Sequence, residues 1–292
     1  MNTKSILLLI DGQDHSFHAA NVAWQMAQSA NIEVTALHVI DTNSIWNFLA
    51  YAKTGFIGSG PYFAAHESIA QELRNLADTL FMAYNSRVAD FNIKSTTKII
   101  EGNLIDAVSR EALNHDLVII GHKGNQENFI NEERRRFERN SACEQLIHVC
   151  PVPILIIQKE IKEISTLKMM VSMAAFNEKI AQNVLALTKL LGLKAEICLV
   201  KRDSSIEDDK VILEQLKDKI PHAKFIIITE GEMTRCSNDS DQFILQPENI
   251  CVMSIKSDKN VTKTSLGHDA QKLVHFLKYP ALLLYPELNT SH

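Results

Sequence analysis

The residues with the most chemical promise stand where short aliphatic runs end. Ile6-Leu7-Leu8-Leu9-Ile10 stops at Asp11-Gly12, and Leu117-Val118-Ile119-Ile120 stops at Gly121-His122-Lys123-Gly124. Two glycines in G-x-x-G spacing let backbone N–H groups approach phosphate oxygens with no Cβ in the way. A helix beginning near Asn140-Ser141 would offer unpaired N–H groups and a positive dipole end to an anion, and Ser141 adds a hydroxyl donor. Asp11 could accept from an adenine amine or a ribose hydroxyl, and Val39, at the end of a second apolar run, could pack against a base. Each feature has a plainer use. A G-x-x-G is also an ordinary turn, Asn-Ser is ordinary helix-start chemistry, and Asp11 could serve only to cap the first helix.

These residues need elements to place them. The run 6–10 has the continuous apolar character of a strand covered on both faces. Phe17, Ala20, Val22, Ala23, Trp24, Met26 and Ala27 recur at helical spacing over 15–29, and 32–40 is a β-branched strand. A long amphipathic helix is expected over 64–89, with Ile69, Leu73, Leu76, Leu80 and Tyr84 on its buried face. A strand at 96–101, a helix at 103–114, a strand at 117–120, a helix near 140–149 and a strand at 153–158 follow. Strands alternating with helices imply right-handed crossovers and a parallel α/β sheet, in which ligands sit beyond the carboxyl ends of the strands.

The composition narrows the function. At 46% hydrophobic and 22% charged residues, the chain is globular rather than disordered. A net charge of −5 gives generic nucleic-acid binding no electrostatic support. No apolar run approaches the roughly 20 residues of a membrane helix, and the N-terminus lacks the form of a signal peptide, so a cytoplasmic protein without membrane partners is expected. The five cysteines show no C-x-x-C spacing, which fits reduced thiols better than disulfides or zinc. No H-E-x-x-H, G-x-S-x-G or G-x-x-x-x-G-K-[ST] occurs, so neither a metal site nor catalysis is expected. His122 or His148 could serve as a base for slow nucleotide hydrolysis, but they read more simply as a loop residue and a helix-face residue.

At 292 residues the chain has room for two domains of roughly 150 residues each. The charged stretch 159–163 fits a linker, after which the pattern restarts. An offset of 162 aligns Asn21-Val22 with Asn183-Val184 and Leu37 with Leu199. Offsets of 133 and 127 align 117–120 with 250–253 and Leu155 with Leu282. Two diverged copies of one α/β unit, 1–158 and 165–292, are expected.

The first half resembles the universal stress protein (UspA) domain. The resemblance lies in the strand ending Asp11-Gly12, in Leu37-His38-Val39, in Glu101-Gly102-Asn103, in 116–124, and in the closing stretch from Asn140-Ser141-Ala142 to Pro153-Ile154-Leu155. The second half is similar more faintly, chiefly at 267–274 and 279–284. The resemblance implies two tandem adenine-nucleotide alpha-hydrolase-like domains, each a five-stranded, mainly parallel sheet flanked by helices. It implies closing strands, 153–158 and 280–285, that meet about a pseudo-two-fold axis like an internal dimer, with a homodimer of chains also open. It carries Asp11 and Val39 to the adenosine end of a bound ATP, and Gly121, Gly124, Asn140 and Ser141 to its phosphates. The family pattern is G-x2-G-x9-G-(S/T). Here fifteen residues separate Gly124 from Asn140, and Asn140 replaces the third glycine. In the second half, Ser254 and Ser257 replace the leading glycines, His268 replaces the hydroxyl, and at an offset of 162 Met173 and Lys201 replace Asp11 and Val39. No nucleotide is expected there.

The expected function is thus a stress-response protein binding ATP or a related adenine nucleotide in its first half, and not an enzyme. The alternative is an adaptor that binds no nucleotide and acts through an unidentified protein partner. Residues 42–64, rich in aromatics, could form a lid, a partner groove or a dimer contact, and packing over their own domain is the plainer reading. Arg134, Arg135, Arg136 and Arg139 could clamp a triphosphate, but a solvated face paired with Glu132, Glu133 and Glu138 is preferred.

Overall fold

The structure, a computed structural model, describes residues 5–50, 59–122, 142–172, 178–201, 213–214, 217–218, 223–229, 249–256 and 281–287. Gly124, Asn140, Ser141, the arginine cluster at 134–139, Met173, Ser257, Gly267 and His268 lie outside the described residues.

The first half runs β1 (Ser5–Leu9), α1 (Asp14–Ala30), β2 (Glu33–Ile40), α2 (Thr42–Ala50), α3 (Gly60–Val88), β3 (Ser95–Glu101), α4 (Leu104–Ala112), β4 (Leu117–Gly121), α5 (Ala142–Val149) and β5 (Ile154–Ile157). The second half contributes β6 (Thr166–Ser172), α6 (Glu178–Leu191), β7 (Lys194–Lys201), β8 (Lys224–Thr229), β9 (Asn249–Lys256) and β10 (Ala281–Glu287). The strands form one sheet in the order β3-β2-β1-β4-β5-β10-β9-β6-β7-β8. The five strands of the first half are all parallel, as the alternation of strand and helix implied. β5 and β10 are antiparallel, Leu155 beside Leu283 and Ile157 beside Ala281, so the closing strands do meet at the centre of the sheet. This pairing covers backbone edges that would otherwise invite association.

Burial on both faces explains the aliphatic runs. Ile6, Leu7 and Leu8 are fully buried. Ile6 and Leu8 face a layer formed with α1, the end of α3 and α6, which continues through Leu155, Ile157, Leu167 and Met169 into the second half. Leu7 and Leu9 face α4 and α5 through Val108, Ala112, Leu146 and Ile147. The charged stretch at 159–163 is anchored rather than loose, since Ile161 is buried in the first layer and Gln25 Nε2 donates to the Lys162 carbonyl at 3.2 Å.

Two expectations shift by one position. The buried face of α3 is Ala70, Ala77, Phe81, Tyr84 and Val88, and Leu76 is 63% exposed. Its small residues let the helix lie close to the sheet, and Leu76 falls on the solvent side. The sheet register also moves the internal correspondence. Ser5 lies beside Glu33, and Thr166 lies beside Lys194, an offset of 161 rather than 162. Ile6 lies beside Leu117 and Leu167 beside Ile250, which keeps the offset of 133. A slip of one residue sends side chains to the opposite face, and 161 is the offset that puts Ile6 and Leu8 in one layer with Leu167 and Met169. The positions in register with Asp11 and Val39 are therefore Ser172 and Val200, not Met173 and Lys201.

The first half is bolted together by an aromatic chain. Trp24 and Tyr84 are both fully buried, with ring centroids 5.4 Å apart. Trp24 Nε1 donates to Tyr84 Oη at 3.2 Å, and Tyr84 Oη lies 2.7 Å from Ser95 Oγ. Burial pushes the Tyr84 hydroxyl above its ordinary pKa, against the opposing effect of its bonds to Ser95 and Trp24. Replacing Tyr84 by Phe keeps the ring but strands the Trp24 N–H in an apolar layer. Chemical denaturation of Tyr84→Phe should show a loss of about 1–3 kcal/mol, with Ser95→Ala costing less.

Candidate functional site

The carboxyl ends of the parallel strands gather Asp11, Val39 and Gly121 at one rim, while Gly124, Asn140 and Ser141 lie outside the described residues. The rim is tied down by backbone bonds: Ile10 N to Leu37 O at 2.9 Å, Gly102 N to Ile40 O at 3.0 Å, and His122 N to Ile157 O at 2.8 Å. After β1 the chain turns through Gly12 at φ +83°, a left-handed conformation that glycine adopts without strain.

Asp11 stands just before α1. The helix N-cap is Gln13, whose side chain makes no cap bond and whose carbonyl accepts from Ser16 N and Ser16 Oγ at 3.0 and 2.8 Å. Asp11 supports this start from two residues ahead, its Oδ1 accepting from Gln13 N at 2.9 Å. Its Oδ2 lies 3.1 Å from His15 Nε2, four residues on and in the first turn of α1. Partial burial disfavours the charge on Asp11. The His15 hydrogen bond, the Gln13 amide and the attraction of the His15 ring outweigh it and bring the carboxyl down to about 2. Asp11 is thus a carboxylate at neutral pH, half exposed, with each oxygen held by one donor and lone pairs to spare.

One strand over, a cleft of about 500 Å3 opens at the end of β2, lined by His38, Val39, Ile40, Asp41, Ser44, Ile45, Ile69 and Leu73. Its walls are the strand end, α2 and α3. α2 starts from Asp41, which accepts from Ser44 N at 3.1 Å and from Ser44 Oγ at 2.8 Å, so both carboxylate oxygens are engaged. In the described part of residues 42–64 Ile45 is buried and Trp46 stacks on His66 at 4.1 Å, while Trp46 and Phe63, edge-on to each other at 5.1 Å, remain 36% and 60% exposed. His38 Nδ1 lies 2.7 Å from the Ile10 carbonyl. Nearby, Arg74 of α3 clasps both oxygens of Glu101 at the end of β3, a hydrogen-bonded pairing that holds the Glu101 carboxyl below its ordinary pKa. A cleft of this size, mostly apolar with few polar groups, suits a planar organic ligand.

Gly121 has a structural reason to be glycine. A Cβ there would stand 2.1 Å from the His15 carbonyl oxygen and 2.7 Å from Ser16 N, both backbone atoms of α1. The residue lets the first turn of α1 rest on the end of β4, which brings His15 back over the rim toward Asp11.

Sequence reasoning gave no role in the site to His15, His38, Ile45 or the Arg74–Glu101 pair, and read Ile69 and Leu73 only as core positions of α3. The Asp11–His15 spacing of four was a readable signal for a helix-start pair. The cleft wall on α3 was not, because it joins residues far apart in sequence. Among the described residues no group of His, Cys, Asp or Glu is placed to hold a metal ion, and no helix is long and apolar enough to cross a membrane.

Two outcomes follow from this geometry. Gly121→Ala should cost about 3 kcal/mol in denaturant unfolding, because backbone rather than a flexible side chain must yield. The carboxyl of Asp11 titrates lower in the folded chain than unfolded, so its contribution is complete above about pH 4 and is lost as the pH falls through about 2. Since the group is half exposed, that contribution is about 1 kcal/mol. Carbon NMR of the Asp11 carboxyl should show the low midpoint, and Asp11→Asn should flatten the acid limb of the stability profile between those values.

Comparison with known proteins agrees with this architecture. Residues 2–158 match the sequence profile of the Universal stress protein family. The fold is similar to that of a universal stress protein from Archaeoglobus fulgidus DSM 4304, at 14% identity and a TM-score of 0.66, over 99% of this chain and 100% of that one. It is similar also to a protein from Pseudomonas aeruginosa UCBPP-PA14, at 12% identity and a TM-score of 0.58, over 97% of this chain and 93% of that one. No curated protein sequence matches. With the profile covering residues 2–158 of 292, more than half of the chain, this protein belongs to the universal stress protein family.

Proposed function

We propose that the first half binds ATP or a related adenine nucleotide at its strand-end rim, as a cytoplasmic stress-response protein. The observation that carries this reading is the mostly apolar cleft of about 500 Å3 at Val39, one strand away from an ionised, half-exposed Asp11. The base enters the cleft against Val39 and the ribose hydroxyls donate to Asp11. The phosphates run toward Gly121 and on to the segment carrying Gly124, Asn140 and Ser141. This is binding without turnover.

The second half, 165–292, is read as a second copy of the same unit that has given up the ligand. In its support, β8-β7-β6-β9-β10 repeats the order β3-β2-β1-β4-β5. At the register position of Asp11 it has Ser172, which carries no charge. At the register position of Leu7 it has Lys168, buried and 3.6 Å from Glu196, which also pairs with Lys224 at 2.9 Å. The two halves joined through β5 and β10 then form an internal pair.

A second reading, an adaptor that binds no nucleotide and contacts a protein partner, is favoured by one observation. The glycine at 121 is already required by the approach of α1, so it does not by itself call for a phosphate.

A thermal-shift titration separates the two. A ligand present at one hundred times its Kd adds about 2.7 kcal/mol to the native state. Saturating ATP should therefore raise Tm by roughly 5–10 °C. Asp11→Ala should weaken binding at least tenfold. No shift at millimolar ATP, ADP or AMP would leave the adaptor reading standing.

A further inference from the structure

We infer that His115 is an acid-sensitive latch at the amino end of the first half's sheet: when its ring gains a proton, the last turn of α4 and its junction with β4 come loose from β1 and β3. The residue stands in the link from α4 to β4, and its side chain is 7% exposed. Nδ1 is buried and meets no hydrogen-bond partner among the described residues. Nε2 lies 3.7 Å from Glu111 Oε1, beyond ordinary hydrogen-bond distance, and the other oxygen of Glu111 accepts from Lys98 Nζ of β3 at 2.6 Å. A neutral ring strands a single neutral nitrogen here. The charged ring has an N–H at each nitrogen, and the one on Nδ1 has no acceptor to meet. A buried charged donor without an acceptor costs more than a neutral one. Burial accordingly holds the ring below the ordinary histidine pKa, against the pull of Glu111 and Asp116.

The bonds to be released are few and local. Asn114 N donates to the Glu111 carbonyl at 3.0 Å and His115 N to the Ala112 carbonyl at 3.1 Å, closing the helix. Asp116 N donates to the Ser5 carbonyl at 3.1 Å, and Ser5 N donates to Asp116 Oδ2 at 3.2 Å, tying the junction to β1. Ser5 Oγ adds a longer bond to the Asn114 carbonyl at 3.4 Å. A charged ring gains an acceptor only by turning out to water or by drawing Glu111 away from Lys98, and either movement displaces this turn. The charged groups that face the ring are Glu111 on α4, Asp116 leading into β4, and Lys98 on β3. A group whose pKa is lowered in the closed state favours opening as the pH falls through its ordinary value, and the gain ends once the pH is below the closed-state value. The Asp11 carboxyl titrates at about 2, so it does not change state in mild acid.

The test is amide hydrogen exchange on the full chain, read residue by residue and corrected for the intrinsic effect of pH. An open ring titrates near the ordinary value of about 6.5, so opening should rise by up to about tenfold between about pH 8 and about pH 5.5. Protection should fall by that factor at Asn114, His115 and Asp116, while the amide of Ile10, bonded to the Leu37 carbonyl at the far rim, keeps its own. His115→Phe keeps a ring in the site and should make protection at Asn114 and Asp116 independent of pH over the same range. If that variant fails to fold, 1H–13C titration of the His115 ring in the unaltered chain takes its place, with a midpoint below the ordinary value expected. Unchanged protection at the junction, a response that persists in His115→Phe, an equal loss at Ile10, or a ring midpoint at or above the ordinary value overturns the inference. The latch is independent of nucleotide binding, which none of these outcomes touches.

Discussion

The rim of the first half depends on one close approach. The backbone of His15 and Ser16 lies where a side chain at position 121 would begin, so the first turn of α1 is seated directly on the end of β4. That seating leaves only a short, left-handed turn at Gly12 between β1 and the helix. The turn carries Asp11 within reach of both the Gln13 amide and the His15 ring, and those two donors keep the carboxylate ionised and oriented. A side chain larger than hydrogen at 121 would lift the helix, and the turn, the Asp11–His15 hydrogen bond and the orientation of Asp11 would change together.

The second constraint is the sheet itself. Parallel strands point their carboxyl ends the same way, so residues that follow β1, β2, β3 and β4 converge although 90 or more residues separate the first from the last. Burial on both faces demands hydrocarbon in the strands, which confines polar chemistry to the positions just past their ends. Charge also enters the sheet of the second half, where Lys168 of β6, in register with the apolar Leu7 of the first, pairs with Glu196 of β7, which pairs in turn with Lys224 at the start of β8. A buried ammonium is tolerated only with a partner, and there Glu196 supplies one while remaining ionised against the cost of its own burial.

Much of the architecture was legible because it rests on local periodicity. Continuous runs such as 6–10 and 117–120 announce strands covered on both faces, and the recurrence through Ala20, Ala23 and Ala27 announces a helix lying close to them. The closing strands could be expected to pair because an aliphatic edge left open is a hazard, and they do. Of the site, Asp11 and Val39 were legible as residues at strand ends. The α3 face was less so: periodicity found the helix, but choosing Leu76 for the core needed the helix rotation, which the small residues Ala70 and Ala77 set by letting the helix settle against the sheet. The internal offset was misjudged by one residue because sparse identities do not fix a sheet register, whereas hydrogen-bonded neighbours do.

Composition, charge and the spacing of apolar residues thus determined the class of fold, the order of the first half's elements apart from α2, and the strand ends at which chemistry could occur, since all of these follow from which side chains can leave water. Only the tertiary structure decided that Gly121 answers to a helix backbone, that His15 returns to Asp11, that Arg74 closes on Glu101, and that His38 spends Nδ1 on the Ile10 carbonyl. Most of these are contacts between elements brought together by strand crossovers. Their existence depends on distances of a few ångströms that no periodic pattern along the chain encodes.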